Sequence, residues 1–161
     1  MIGKLTEFIW KFIPPRLRIA VVRFFQAKFT VSVVGVVTNE KGELLVLEHY
    51  FRPKYKWGLP GGFIEAFEPP EEAVKREIKE EADVDILTAE LLSVRTIGRH
   101  VEIFFKCKGT GKGRVASKEI KACGWFSSDN LPPISPAHLI YIESFFTEHF
   151  STEPAVKQKL N

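Results

Sequence analysis

Glu77, Glu80 and Glu81 stand at i, i+3 and i+4 in the run Arg76-Glu77-Ile78-Lys79-Glu80-Glu81. A helix turns about 100° per residue, so these positions are neighbours and the three carboxylates share one face. Carboxylates held that close repel one another, which raises their pKa values and lowers stability. A hard divalent cation such as Mg²⁺, which takes carboxylate and water oxygens, relieves the repulsion. A solvated charged helix face is the alternative reading of such a run. Against it, Lys75 and Lys79 fall on another side of the helix, and Ala73, Val74 and Ile78 flank the acidic stripe. Gly61-Gly62 lies upstream and places a glycine turn ahead of the helix.

Those residues need elements to position them. The helix is expected to begin at Pro69 or Pro70, since proline suits a first turn. It should end near Ala82, with Asp83 where a stop glycine usually stands; aspartate tolerates the left-handed conformation better than most residues. Residues 29–38 are dense in β-branched side chains and read as a buried strand. A turn at 39–42 and a second strand at 43–49 complete a hairpin. Residues 50–56 form a basic, aromatic loop, and Trp57-Gly58-Leu59-Pro60 leads into the glycines. Downstream, 86–97 reads as a strand pair or one long strand, 101–108 as another, 109–113 as a flexible turn and 119–126 as a further strand. Residues 138–150 form a last helix with Leu139, Ile142, Phe145 and Phe146 on one face. Strands and helices mixed in this way point to an α/β fold with a mixed sheet between helices.

Composition bounds the rest. A chain of 161 residues with 45% apolar and 27% charged residues fits one domain with a substantial core. A net charge of +3 does not suggest a nucleic-acid polymer as partner. Cys107 and Cys123 have neither metal spacing nor a disulfide framework, which suits a reducing cytoplasm. No apolar run reaches the roughly 18 residues that span a bilayer, and the start has no signal-peptide apolar core. Residues 1–28 stand apart as an N-terminal helical extension, with Lys4, Lys11, Arg16, Arg18, Arg23 and Lys28 against one acid, Glu7. Leu5, Phe8, Ile9, Phe12 and Ile13 follow helical spacing; Pro14-Pro15 breaks that helix, and 16–26 can form a second. This amphipathic segment is expected to pack on its own domain, or on a second copy in a homodimer, rather than on a membrane surface. The expected organisation is thus 1–28 extension, 29–150 globular domain and 151–161 polar tail.

The segment from Gly62 to Val84 resembles a Nudix box, the signature of MutT-type Nudix hydrolases. Gly62, Glu68, Arg76-Glu77, Ile78, Glu80-Glu81 and Val84 occupy its fixed positions, and Asp83 replaces its second glycine. Phe67 stands where a further glycine often precedes the first box glutamate. The resemblance extends over residues 29–133 and implies an α/β/α sandwich that cleaves a diphosphate joined to another group, usually a nucleoside, by water attack on phosphorus. A nucleoside triphosphate or a nucleotide-linked diphosphate is the implied partner, with Mg²⁺ as cofactor and Mn²⁺ as its substitute.

By that resemblance Glu77, Glu80 and Glu81 are metal ligands, with the Gly61 carbonyl as an additional one. Glu77, Glu80, Arg76 and Glu119 form the implied catalytic set. Arg76 would hold Glu77 by a charge-assisted hydrogen bond. Glu68, favoured by the helix dipole, has an expected structural role, and Glu65 is a weaker candidate. Glu119 stands six residues before Trp125, where MutT-type members place a metal-binding or base glutamate; a surface glutamate beside Lys118 and Lys121 is the alternative. Glu102, beside His100, is a weaker base candidate. Arg52, Lys56 and Trp57 precede the glycines as candidate substrate contacts, with Lys54 and Tyr55 nearby; Trp57 reads equally as a core aromatic. Arg99 and His100 are placed on a loop facing the site, and His138 at the surface or as a cap. Subfamily marks are mostly negative: Arg99 stands where ADP-ribose-cleaving members often have proline, and His100, Val101 and Glu102 where dinucleoside-polyphosphate members often have tyrosine. A non-catalytic nucleotide-binding or sensor module of the same fold is the rival, and such modules typically lose box carboxylates that this chain keeps.

Overall fold

The computed structural model describes residues 11–151, and side chains through residue 146. Most of the helix expected over 5–13 lies outside the described residues. The chain divides into two compact units, residues 1–30 and 31–161. In the first, helix α1 (Pro15–Phe25) begins with proline in its first turn, where no amide donor is missed. Arg18 stitches the break before it, donating from Nε to the Ile13 carbonyl at 2.7 Å and from Nη2 to the Lys11 carbonyl at 2.8 Å. No described helix is long and apolar enough to cross a membrane.

The second unit is built on a seven-stranded mixed sheet. Its strands are β1 (Thr30–Thr38), β2 (Leu44–His49), β3 (Trp57–Gly58), β4 (Gly61–Phe63), β5 (Asp85–Ile97), β6 (His100–Thr110) and β7 (Ile120–Phe126). Along the main path the order is β3-β2-β1-β6-β5, with β4 paired to β1 and β7 to β2. The segment 86–97 is one strand, not two; register shifts at Ile86/Thr88 and Leu91/Ser93 keep it paired with β6 throughout. Such bulges let a long strand bend without leaving its partner.

Period-2 alternation sorts the strands' side chains to two faces. Val33, Val37, Leu45, Leu47, Phe105 and Cys107 meet one helix, α2 (Pro70–Ala82), through its buried Ala73, Val74, Ile78 and Ala82. Val34, Val36, Leu44, Val46 and Phe104 meet the other, α3 (Pro136–Ser151), through Ile142 and Phe145. The adjacent residues Phe104 and Phe105 thus fill opposite cores. This is the α/β sandwich that the resemblance implied. α2 starts at Pro70 and stops at Asp83, which is left-handed at φ 50° and ψ 41°. The Asp83 carboxylate is held by Lys79 at 2.9 Å and Arg114 at 2.7 Å, which offsets the conformational cost of lacking glycine. Phe67, at φ 70°, has no such compensation, and its side chain is fully exposed.

Candidate active site

The site forms where β4 crosses between β1 and α2. β4 lies antiparallel to β1 with Val33 opposite Gly62 and Val34 opposite Gly61. Gly61 has φ 148°, and a Cβ there would overlap the Val33 carbonyl; a Cβ on Gly62 would overlap the Glu77 carboxyl. Two glycines are therefore what lets the strand approach both the sheet and the helix. The approach brings the Gly61 amide to Glu81, donating to Oε2 at 2.9 Å.

Burial and charge then set the ionisation. Glu81 is only 9% exposed. Burial pushes its pKa up to about 7 and the neighbouring Glu77 charge adds to the rise, while the Gly61 hydrogen bond pulls the other way. Glu77 is also raised, first by burial and then by Glu80 and Glu68, although Arg76 opposes the shift. Arg76 is fully engaged. It forks onto Glu68, Nε to Oε1 at 2.8 Å and Nη2 to Oε2 at 2.9 Å. It also donates from Nη1 to Glu77 at 2.8 Å and from Nη2 to the Phe63 carbonyl at 3.1 Å. The fork holds the Glu68 carboxyl down at about 2, and Glu68 accepts the Glu65 amide as well, at 3.0 Å. Helix start, loop and carboxylate face are joined through one guanidinium.

These groups open onto a cavity of about 490 Å³. Glu65, Glu77, Glu81 and Glu119 bring carboxylates to its wall, and Arg52, Arg76 and His49 bring basic groups. Glu119 arrives from the turn before β7, fixed where its carbonyl accepts the Tyr50 amide at 3.0 Å. Glu80 does not line the cavity; its side chain is 61% exposed, and its contact with Arg76 is long, 3.5 Å. Among the described residues, no three of His, Cys, Asp or Glu stand ready-assembled as an ion site.

The other sequence candidates separate by strand face. Gly58 pairs with Leu47 and Trp57 with Glu48, so Trp57 falls on the α3 side. There it packs edge-on against Phe126, centroids 5.4 Å apart, within the second core. Lys56 is exposed and its carbonyl accepts the His49 amide at 2.8 Å. Glu102 is ion-paired with Arg95, which lies over Phe104 and Tyr141, 5.1 Å and 5.4 Å from the ring centroids. His100 Nε2 is 3.0 Å from the Ser32 hydroxyl, and Arg99 is exposed at the β5–β6 turn.

Two histidines carry more than sequence reading gave them. His49, at the end of β2, lines the cavity just after a register shift against β7, a kind of irregularity that re-aims side chains. Its Nε2 is buried with no hydrogen-bond partner among the described residues, and burial, then Arg52 and His138, lowers its pKa to about 4. His138 is half-buried: its Nδ1 is likewise enclosed with no hydrogen-bond partner among the described residues, its ring meets Phe104 edge-on at 6.3 Å, and burial lowers its pKa to about 4. Spacing gave no sign of either, because both environments are made by residues distant in sequence.

Comparison with known proteins bears on this site. A MutT-like protein of Streptomyces ambofaciens is 36% identical over 104 residues, 63% of this chain and 66% of that protein. An ADP-ribose pyrophosphatase of Methanocaldococcus jannaschii is 31% identical over 121 residues, 71% of this chain and 72% of that one. The chain spans 66%, 53% and 36% of the length of the first three curated relatives it matches. The crystal structure of a MutT NUDIX hydrolase from Burkholderia pseudomallei superposes with a TM-score of 0.63 at 32% identity, covering 72% of this chain and 97% of that one. That of a NUDIX hydrolase from Nitrosomonas europaea reaches 0.71 at 22% identity, covering 81% and 77%, and so speaks for the fold. Residues 28–145 match the NUDIX domain model, and the chain belongs to that family.

Proposed function

We propose that the protein is a divalent-metal-dependent hydrolase that cleaves a diphosphate linkage in a nucleotide by water attack on phosphorus. The observation that carries this reading is Glu81, a carboxyl buried beside Glu77, pinned to the Gly61 amide and raised to about 7 at the wall of an open cavity. A buried carboxylate beside a half-buried one, both with unfavourable ionisation, is a site that gains from a cation. The donor set fits one: Glu77 and Glu81 supply hard oxygens, Glu80 stands one turn along the helix, and the Gly61 backbone lies against Glu81. Mg²⁺ is the reading for these ligands, with Mn²⁺ as substitute. A bound cation would neutralise phosphate charge and lower the pKa of water at phosphorus.

The chain's own residues do the rest. Arg76 holds Glu68 and Glu77 in register, so that the carboxylate face keeps its shape. Arg52 offers its guanidinium to the anionic substrate from the loop between β2 and β3. Glu119 lines the cavity with no hydrogen bond to its carboxyl oxygens among the described residues and is the candidate to take the proton of the attacking water. Lys56 and Trp57 lie off the cavity, and their contribution is to brace the loop and strand that carry Arg52. ADP-ribose is the first substrate to test, because the Methanocaldococcus jannaschii relative is named for it. The two free cysteines suit a reducing compartment.

A product-release screen over ADP-ribose, nucleoside triphosphates and dinucleotides, with Mg²⁺ and with Mn²⁺, tests the proposal. Release of a nucleoside monophosphate or of inorganic pyrophosphate is the expected result. Binding without turnover across the panel would favour the sensor-module reading instead.

A further inference from the structure

Arg52 sits in the loop between β2 and β3, closed at its base by two backbone hydrogen bonds: the His49 amide to the Lys56 carbonyl at 2.8 Å and the Tyr50 amide to the Glu119 carbonyl at 3.0 Å. The closed loop folds Arg52 back over Gly58, a buried residue on the face of β3 that looks toward α2. A Cβ on Gly58 would overlap Arg52 Nη1 and lie 3.0 Å from Cζ and 3.6 Å from Nη2. No backbone atom is among those nearest neighbours, so an alanine displaces only the guanidinium.

The guanidinium so placed has no anion of its own. Among the described residues Arg52 makes no hydrogen bond and no ion pair. Glu81 and Glu102 act on it through space, while burial lowers its pKa. Its neighbours His49 and His138 are uncharged near neutral pH and so do not repel it or its ligand. A planar fork matches two oxygens of one phosphoryl group, and partial burial strengthens that pairing.

We propose that Gly58 is a positioning residue whose missing side chain leaves the slot that aims Arg52 at the substrate's diphosphate. The inference rests on the diphosphate reading of the cavity. It adds a residue with no chemistry of its own, acting through Arg52.

The test is a double-mutant cycle on the full chain, read by calorimetric binding of α,β-methylene-ADP, a nucleoside diphosphate whose bridge resists hydrolysis, with Mg²⁺ present. Arg52→Gln is expected to weaken binding roughly tenfold to a hundredfold, as loss of a hydrogen bond to a charged group does. Gly58→Ala should weaken it about tenfold with an unchanged melting temperature. In the Arg52→Gln background, Gly58→Ala should change nothing further, because non-additivity is the mark of one residue acting through another. Additive effects, or wild-type binding by either single variant, would overturn the slot. So would a wild-type chain that does not bind the probe. Arginine Nε–Hε NMR supplies a readout that does not depend on Gly58→Ala folding: Arg52 should show an ordered side chain, and a freely mobile one would overturn the proposal. Turnover assays run in parallel separate the two readings. Arg52-dependent binding without hydrolysis would leave the slot standing and remove the hydrolase, whereas hydrolysis indifferent to Arg52 would do the reverse.

Discussion

Arg76 lines the cavity wall from α2 and Arg52 from the loop between β2 and β3, and their surroundings could hardly differ more. Arg76 meets oxygens of Glu68, Glu77 and Phe63 within 3.1 Å. Arg52 has no hydrogen bond or ion pair among the described residues and is placed by the shape around Gly58. An arginine already saturated with carboxylates has few donors left for a ligand; its work is to join helix, loop and strand. An unpaired arginine at a cavity wall is held in readiness, and the fold spends a glycine to keep it there. The same residue type thus serves architecture on one wall and, in the function proposed above, recognition on the other, and only the partners distinguish the two.

The largest effect should come from the carboxylate between them. Glu81→Gln is expected to cut turnover by about a hundredfold or more with the fold intact, since it removes an oxygen ligand and a charge. Unchanged turnover would remove Glu81 from the metal face. Next, Arg76→Ala should cost about 2–4 kcal/mol of stability by urea unfolding, because Glu68 and Glu77 lose a shared partner. Arg52→Gln should stay within about 0.5 kcal/mol of wild type in the same measurement. Equal losses in both variants would erase the contrast between the walls.

The pH dependence of stability separates the walls a second way. Glu81 has a raised folded-state pKa, so its contribution is fully present below about 4.5 and is lost as pH rises through about 7, on the order of 3 kcal/mol. His49 and His138 are depressed to about 4, so theirs is present above 6.5 and is lost as pH falls through about 4. The two trends oppose each other between pH 4.5 and 6.5. In chelator, Glu81→Gln should therefore show a steeper gain in stability from pH 4.5 to 7 than wild type. Parallel curves for the two proteins would mean that the Glu81 shift is not expressed in solution. The smallest effect concerns the loop that serves Arg76. Phe67→Gly should stabilise by up to about 1 kcal/mol, by relieving a left-handed phenylalanine. Asp83→Gly should gain less, because it also removes the contacts with Lys79 and Arg114.

Much of this was legible in the sequence. Local signals were enough for α2, because Pro70 and Asp83 are themselves the start and stop, and for β1 and β2, whose β-branched runs announce buried strands. The length of β5 was not legible, since its bulges depend on how β6 pairs with it. Glu77 and Glu81 reach the cavity together, but helical spacing alone did not separate them from Glu80, which turns to solvent. Trp57 was open between two readings, and the face it packs on depends on the parity of a two-residue strand. His49 and His138 went unrecognised because desolvation, their dominant feature, comes from distant residues.

The sequence by itself determined the chemistry: the spaced carboxylates, the box arginine and the paired glycines need only helical periodicity and a tight backbone to imply an oxygen-rich cation face. Tertiary structure decided which of those groups meet and in what state. Only packing could bury Glu81 against the Gly61 amide, saturate Arg76 and leave Arg52 unpaired over Gly58. Spacing along the chain sets which side chains share a helix face, whereas burial and partnership depend on contacts between residues far apart in sequence.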